Sequence, residues 1–354
     1  MEFLYEYGLF LAQAVTIVAA VLIIAGGIVA LGARQRSEQQ EGHLEVRHLN
    51  ERYRHIGATI RSVVDDPMAA KELAKSEKKA EKTRVKEAKK KRKKGDDASA
   101  EQGKSRLYVL NFDGDMRASA VENLREEISA ILPQVREGDE ILVRLESPGG
   151  LVHGYGLAAS QLQRIRTAEV PLTVAVDKVA ASGGYMMACV AQTIVAAPFA
   201  VVGSIGVVAQ LPNFHRLLKK NDIDFELLTA GEHKRTLTVF GENTEQGREK
   251  FVEELEETHQ LFKDFVQANR PELEIAKVAT GEVWYGQNAL DIGLVDRLET
   301  SDAFIQAKLE DWDVYEIRFV HRKNWQEKLG FASEKALERL ALKLWQRGTS
   351  RSQH

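Results

Sequence analysis

The sequence contains a single cysteine, Cys189, among 354 residues. One cysteine excludes an intrachain disulfide, so no disulfide framework indicates the cellular compartment. Cys189 lies in an apolar run without a flanking base, which favours a buried structural thiol over a reactive one. Metal-ligand spacing is also missing among the histidines, cysteines and carboxylates, so no metal site and no cofactor is predicted.

Charge is missing from Leu9 to Ala33, a run of 25 residues. As a helix this run would extend about 37 Å, enough to cross a hydrocarbon core of about 30 Å with some tilt. The first eight residues have no Lys or Arg, and the apolar stretch is too long for a cleaved signal peptide. Residues 1–34 are therefore predicted to be a retained, single-pass anchor in the lipid bilayer. Five arginines follow it by residue 54, and the positive-inside rule places that side in the cytoplasm.

Apolar residues are scarce from residue 35 to about 104, so this segment cannot bury a core and is predicted to be a linker. From Lys71 to Lys94 it has 13 Lys or Arg against 4 Glu, a net charge of +9. The whole chain has a net charge of only −3, so the remainder is acidic. A solvated spacer is the favoured interpretation. The alternative is a patch for anionic lipid, with nucleic acid the less favoured ligand.

The remaining sequence alternates short apolar runs with amphipathic stretches, which predicts an α/β core in residues 105–300. A second uncharged run, Val179 to Leu211, contains four glycines and Pro198 before residue 207, and is assigned to this core rather than to the membrane. Residues 301–354 are predicted to be a C-terminal extension with an amphipathic helix. The predicted strands are 107–112, 140–145, 172–176, 193–197 and 225–228, and the predicted helices are 118–134, 156–166, 183–191, 213–220, 245–268 and 333–346.

Two glycine-containing turns carry the features of a serine nucleophile and an oxyanion site. In Glu146-Ser-Pro-Gly-Gly150 the proline sets a turn after a strand, and the glycines leave backbone N–H groups open to a substrate. Ser182 falls between a predicted strand and a helix, beside the N–H of Gly183 and the positive end of the helix dipole. An ordinary Pro-Gly turn and a serine N-cap are the structural alternatives.

Lys234 is the preferred general base for Ser182. The histidines of the predicted domain, His153, His215 and His233, come without a convincing carboxylate partner in a motif. A lysine acts as a base only where desolvation favours its neutral form, and the apolar surroundings of Ser182 offer that environment. Taken alone, a lysine is more often a solvated surface charge.

Two further motifs suggest nucleotides and are rejected. Gly154-Tyr-Gly-Leu-Ala-Ala159 fits a loose dinucleotide fingerprint, but the preceding strand ends too early to lead into it. Gly103-Lys-Ser105 resembles the end of a phosphate-binding loop, but Ala98 stands where that loop needs its first glycine. Neither a nicotinamide nor an ATP site is predicted.

Taken in order, the motifs resemble those of the signal peptide peptidase A family of membrane-anchored serine peptidases, over roughly residues 1 to 300. The matching pieces are Ser147-Pro-Gly-Gly150, Asp177 with Ala180-Ala-Ser-Gly-Gly-Tyr185, Gly203-Ser-Ile-Gly-Val207, Lys234 at 52 positions beyond Ser182, and the run from Gly281 to Asp296. The proteolytic subunit of Clp protease shares the first two motifs but has a histidine base where this chain has Val207 and its neighbours. That difference favours the Ser-Lys dyad.

The resemblance implies a role for each matching residue. Ser182 would be the nucleophile, Lys234 the general base, Gly149 and Gly183 the oxyanion donors, and Ser204 a hydroxyl that orients the lysine. The implied fold is the ββα spiral of the Clp-protease and crotonase type. The resemblance also implies a homo-oligomeric ring, in which neighbouring chains can complete one dyad.

The implied activity is a serine endopeptidase of the bacterial inner membrane that acts on signal peptides or on membrane and misfolded proteins. Its relatives act outside the inner membrane, whereas the arginine bias favours the cytoplasm, so the side stays open. Two other functions remain as alternatives: a crotonase-like acyl-CoA enzyme, and a non-catalytic membrane scaffold.

Overall fold

The computed structural model describes residues 42–66, 79, 83, 104–231 and 234–321. Two compact units are distinguished along the chain. The unit Val46–Arg318 contains the two β-sheets considered below apart from a few strand-end residues. The unit formed by Met1–Glu45 with Phe319–His354 is described only at residues 42–45 and 319–321.

The elements alternate between strands and helices along most of the described chain. The strands are β1 (His43–His48), β2 (Arg106–Asp113), β3 (Glu140–Glu146), β4 (Leu172–Val176), β5 (Val179–Ala181), β6 (Thr193–Ala196), β7 (Val201–Gly203), β8 (Val283–Tyr285), β9 (Arg297–Leu298) and β10 (Asp313–Val320). The helices are α1 (Leu49–Val64), α2 (Val121–Ile131), α3 (Val152–Thr167), α4 (Gly183–Ala188), α5 (His215–Lys220), α6 (Glu245–Asn269), α7 (Ile275–Val278), α8 (Gly286–Asp291) and α9 (Ser301–Lys308).

Within the described residues the strands form two sheets. The larger has seven strands in the order β1-β10-β2-β3-β4-β6-β9, and its pairs from β10 to β9 are parallel. The smaller has the order β5-β7-β8, with β8 antiparallel to β7. Parallel strands joined by helices are the pattern of an α/β protein, which confirms the α/β class predicted for the core.

Both faces of the larger sheet are covered by apolar side chains. Alternate residues of β2 belong to different clusters: Leu107 and Val109 pack on one face, and Leu110 and Phe112 on the other. Neighbouring residues of β2 face opposite sides of the sheet because successive side chains of a strand point in opposite directions. Burial on both faces explains why the strands read as continuous apolar runs in the sequence.

The structure corrects and extends several predictions. The predicted strand 225–228 is wrong: these residues have no strand partner among the described residues. The strands predicted at 107–112, 140–145, 172–176 and 193–197 are confirmed to within two residues at each end. The run from Val179 to Leu211 contributes β5, α4, β6 and β7 to the fold, as predicted.

The membrane segment and the C-terminal helix are predictions that the structure does not test. Among the described residues no helix is long and apolar enough to span a bilayer. The predicted anchor, residues 9–33, lies outside the described residues. The predicted helix 333–346 and nearly all of the basic run lie outside them as well.

A buried ion pair joins the starts of β2 and β3, and it yields a stability prediction. The Asp139 carboxylate accepts the backbone N–H of Arg106 and of Arg136, each at 2.9 Å, and it pairs with the Arg106 guanidinium. The side-chain hydrogen bond from the guanidinium to Asp139 raises the pKa of Arg106 above its ordinary value. Asp139→Ala should lower the free energy of unfolding by about 3 kcal/mol, because it leaves the partly buried guanidinium without its counter-charge.

Denaturant titration measures this loss, and Asp302→Ala is the matched control. Asp302 also pairs with an arginine, Arg144, at 3.1 Å, but its side chain is exposed. We expect the control to change the free energy of unfolding by no more than about 0.5 kcal/mol. Equal losses in the two variants would contradict the role given to Asp139.

Candidate active site

Ser182 lies at a strained turn between β5 and α4. Its backbone has φ +53° and ψ −118°, a combination that residues other than glycine rarely adopt. The turn is held by hydrogen bonds from the Ser182 N–H to the Gly203 carbonyl, 2.8 Å, and from the Met186 N–H to the Ser182 carbonyl, 3.0 Å. Such a conformation costs about 1–3 kcal/mol and is found mainly at functional sites. The hydroxyl does not cap α4, so the N-cap alternative does not explain the serine.

The glycine turn after β3 lies in direct contact with Ser182. Gly149 has φ +88°, and a Cβ at this position would lie 2.7 Å from both the Ala181 carbonyl oxygen and the Ser182 Cβ. Such a distance excludes any side chain, so only glycine allows this approach. Ser147 fixes the turn beside β5, because its N–H donates to the Val179 carbonyl and its carbonyl accepts the Ala181 N–H.

Three backbone N–H groups at this turn differ in whether they already have an acceptor. The Gly183 N–H, in the first turn of α4, has none among the described residues, as is usual at a helix N-terminus. The Gly149 N–H donates to the Ser147 Oγ at 3.1 Å. The Gly150 N–H has no acceptor in the described part of the chain. The site therefore offers open donors on both sides of Ser182.

Ser204 follows β7 and is also strained. It has φ +52°, and its N–H donates to the Glu282 carbonyl at 2.6 Å. The preceding residue, Gly203, has φ +99° and packs against the Trp284 ring, where a Cβ would lie 2.6 Å from a ring carbon. Since the Gly203 carbonyl accepts the Ser182 N–H, Ser204 is one residue away from the nucleophile's own backbone partner.

No hydrogen bond joins Lys234 to Ser182 among the described residues. The Lys234 N–H donates to the Gly231 carbonyl at 3.2 Å, but its side chain is exposed and makes no hydrogen bond or ion pair with a described residue. It belongs to an exposed segment, residues 207–241, that we call the arm; residues 232 and 233 of the arm, including His233, lie outside the described residues. None of the arm's described residues is buried.

The arm exposes an unusual number of large apolar side chains. Three of its phenylalanines contact one another, with ring centroids 5.7 and 6.1 Å apart, yet each is more than 40% exposed. Leu228 is 90% exposed and Val208 80%. The three phenylalanines are Phe214, Phe225 and Phe240, and the other large apolar residues that the arm exposes are Leu211, Leu217, Ile223 and Leu227. A surface of this kind is typical of a contact between proteins.

Two of the histidines and the rejected dinucleotide motif lie in helices, and Asp177 contacts the start of another helix. His153 lies exposed in the first turn of α3, and His215 lies in α5. Asp177 accepts the N–H of Ser301 at 2.7 Å and its hydroxyl at 2.5 Å, so it anchors the start of α9. The rejected dinucleotide motif, from Gly154 to Ala159, lies entirely within α3.

Cys189 is fully buried at the end of α4, as the sequence predicts. Its thiol donates to the Met186 carbonyl, and burial raises its pKa to about 12. Because the thiolate is the reactive form, this cysteine is structural.

One group of residues at the site was missed by the sequence analysis. The Tyr155 hydroxyl, on α3, lies 2.6 Å from the Ser147 Oγ and also donates to the Asp115 carbonyl at 2.7 Å. From the sequence, Ser147 is predicted only as part of the glycine turn. The only signal for Tyr155 is a large aromatic residue five positions after that turn, between two glycines.

The chain resembles curated proteases along most of its length. It is 51% identical over 335 residues to a probable protease SohB of Haemophilus influenzae, covering 95% of this chain and 94% of the relative. It is 50% identical over 305 residues to a probable protease SohB of Buchnera aphidicola subsp. Schlechtendalia chinensis, covering 86% and 99%. A solved mutant of the 1510-N membrane-bound stomatin-specific protease, in complex with a substrate peptide, is 13% identical with a TM-score of 0.39, covering 64% of this chain and 96% of that one.

Two family models account for nearly the whole chain. The N-terminal model of peptidase family S49 matches residues 2–162, and the peptidase family S49 model matches residues 164–314. The strained serine and the glycine turn that meets it fall on either side of the junction between these matches. The chain is therefore a member of peptidase family S49, of the type represented by the SohB proteases.

Proposed function

We propose that this peptidase is a serine endopeptidase that works through an acyl-enzyme on Ser182, with Lys234 as the general base. The observation that carries the proposal is the strained Ser182 in contact with the glycine turn. A serine held at a strand-to-helix turn, beside open backbone donors, is arranged for nucleophilic attack.

The reaction proceeds in two balanced halves. The Ser182 Oγ attacks the substrate carbonyl carbon while its proton passes to the neutral amine of Lys234. The tetrahedral intermediate collapses when the lysine returns that proton to the leaving amine, which leaves an ester on Ser182. Water then attacks the ester carbonyl carbon and loses a proton to the lysine. The lysine returns that proton to the Ser182 Oγ as the ester C–O bond breaks, which frees the serine and leaves a new carboxyl terminus on the substrate.

The oxyanion of each intermediate is stabilised by backbone N–H groups from both sides of the serine. Gly183 supplies one donor at the positive end of α4. Gly149 was predicted to supply the other, but its N–H first has to leave the Ser147 Oγ. Gly150 can donate without breaking a hydrogen bond to a described residue. We therefore assign the second donor to the glycine turn, with Gly150 ahead of Gly149.

The dyad is completed between two copies of the chain in a homo-oligomer. Lys234 is exposed in the single chain, and the arm around it presents apolar side chains without a covering surface among the described residues. Packing the arm on a neighbouring copy would bury these side chains and desolvate the lysine, as a neutral amine requires. The Ser204 hydroxyl, close to Ser182 in the chain's hydrogen-bond pattern, would orient the incoming lysine.

The core is proposed to be the ββα spiral of the Clp-protease and crotonase type. Consecutive strands β4 and β5 lie in different sheets and are followed by α4. The next pair, β6 and β7, is divided between the sheets in the same way. A repeated pair of strands split between two sheets is what such a spiral produces.

The peptidase is proposed to be anchored in the bacterial inner membrane by residues 9–33, and to act on signal peptides or on membrane and misfolded proteins. The uncharged run supports the anchor. The arginines that follow it favour a cytoplasmic catalytic unit, whereas the family resemblance favours the outer side. A C-terminal reporter that is active on one side only decides between them.

A serine-directed fluorophosphonate tests the proposed chemistry. Mass mapping of the treated full-length protein in detergent should place one adduct per chain on Ser182, and the treated protein should no longer hydrolyse peptides. A crotonase-like enzyme would instead bind CoA and hydrolyse or rearrange a thioester without an adduct at Ser182. A non-catalytic scaffold would show neither peptide hydrolysis nor labelling.

A further inference from the structure

Three consecutive hydrogen bonds connect the glycine turn to α3 and to the loop after β2. The Gly149 N–H donates to the Ser147 Oγ at 3.1 Å, the Ser147 Oγ lies 2.6 Å from the Tyr155 Oη, and the Tyr155 hydroxyl donates to the Asp115 carbonyl at 2.7 Å. Tyr155 and Ser147 are both completely buried. These hydrogen bonds link a turn beside the nucleophile to Asp115, in the loop after β2.

The direction of each proton follows from the acceptors. A carbonyl oxygen can only accept, so the Tyr155 proton goes to Asp115. The Ser147 hydroxyl must therefore donate to the Tyr155 oxygen, and its own oxygen is left to accept the Gly149 N–H. Burial raises the pKa of the Tyr155 phenol, so it stays protonated as this order requires. Hydrogen bonds aligned in one direction strengthen one another in a low-dielectric interior.

The Tyr155 ring contacts the other side of the site. A Cβ on Gly183 would lie 2.3 Å from the Cγ of Tyr155, so the ring lies directly against the first residue of α4. The Phe112 ring packs edge-on to Tyr155 with centroids 6.4 Å apart and holds it from β2. Tyr155 thus contacts Gly183 through its ring, and its hydroxyl is linked to the Gly149 N–H through the Ser147 hydroxyl.

We propose that Tyr155 is a positioning residue for the oxyanion site of this peptidase. Through Ser147 it holds Gly149 at φ +88°, against the Ser182 Cβ, and through its ring it supports Gly183. The backbone donors on the two sides of Ser182 are thereby placed relative to each other by one tyrosine. This inference rests on the proposed function, because it assigns a role within the same site.

The Tyr155 ring is needed for packing, but its hydroxyl is not. A phenylalanine would fill the same space against Gly183 and Phe112. A buried hydroxyl stabilises a fold only when its partners are in place, and here both partners belong to segments that border the glycine turn. Removing it frees the Ser147 hydroxyl to rotate and loosens the turn, while the core remains filled.

Tyr155→Phe in the full-length protein tests the proposal. We expect kcat for a peptide substrate to fall by about 10- to 100-fold with KM within about twofold, because the donors act on the transition state rather than on the bound substrate. The rate of inactivation by the fluorophosphonate should fall by a similar factor. Ser147→Ala should reproduce both effects. The double variant should lose no more than the worse single one, since both act through one chain.

Tyr185→Phe is the matched control. Tyr185 is equally buried, and its hydroxyl also donates to a carbonyl, that of Leu294, at 2.9 Å, but it does not contact the glycine turn through this bond. It should lose comparable stability and retain kcat. If Tyr155→Phe retains kcat as the control does, the positioning role is wrong while the proposed function stands. If Tyr155→Phe does not fold, Ser147→Ala decides by the same measurements. The proposed function is tested separately, by the activity of the Ser182 variants.

Discussion

Ser182→Ala is expected to abolish peptide hydrolysis, with a loss of about 10⁴-fold or more in kcat. The reason is that the proposed acyl-enzyme forms on this hydroxyl and no other described group can replace it. The fold should persist, since the hydroxyl makes no hydrogen bond to a described residue and alanine suffers the same backbone strain. Hydrolysis of a fluorogenic peptide by the purified full-length protein measures the loss, and circular dichroism checks the fold.

Ser182→Gly separates strain from chemistry at this position. Glycine adopts φ +53° without steric cost, so this variant should be equally inactive but more stable than Ser182→Ala by about 1 kcal/mol. Substantial hydrolysis by either variant would place the nucleophile elsewhere. Equal stability of the two variants would show that the turn is not strained in solution.

Lys234→Ala should reduce kcat by about 10³-fold or more, because no other group is assigned to take the serine proton. Lys234→Arg should be no better, since a guanidinium keeps its proton and cannot act as a base. Both variants should still assemble, because the apolar side chains of the arm are unchanged.

Lys220→Ala is the matched control, an exposed lysine at the end of α5 in the same arm. It should retain wild-type kcat, measured with the same peptide substrate. Activity of Lys234→Arg close to that of the control would show that the residue supplies charge rather than a proton acceptor. Full activity of Lys234→Ala would remove the dyad from the mechanism.

Four of the seven strands of the larger sheet were predicted from the sequence, and the reason is burial. β2, β3, β4 and β6 are covered on both faces, so each appears as a short, mainly apolar run, whereas β1, β9 and β10 were not predicted. The run 225–228 has the same composition, yet it lies in the exposed arm with no partner strand among the described residues. An apolar run does not reveal whether its partner is a strand of the same chain or the surface of another.

The short strands escaped prediction because three residues carry no periodic signal. β5, β7 and β8 each have three residues, and their pairing depends on contacts distant in sequence, such as Val202 with Trp284. β10 was missed although it alternates in the sequence, and it pairs with β2 across more than 200 positions. Local patterns indicate strands but not which distant strand completes the sheet.

Some residues of the candidate site could be identified from local motifs, whereas others depend on contacts between positions distant in the sequence. Motifs identified Ser182 and the glycine turn, and the structure brings these two into contact. Tyr155 could not be found, since an aromatic residue in a helix usually serves only packing and its hydroxyl acts through partners eight and forty positions away. Lys234 was selected by its position in the motifs, but its exposure in an arm with no buried residue among those described could not be predicted from them.

Mixing two inactive variants tests most directly whether Ser182 and Lys234 form one site between two chains. Full-length Ser182→Ala and Lys234→Ala chains, carrying different tags, are co-expressed and purified through both tags in turn. If each site takes its serine from one chain and its lysine from the next, random assembly completes about one quarter of the sites, and selection through both tags should restore at least that fraction of wild-type activity. Absence of activity in doubly tagged assemblies would contradict the shared dyad.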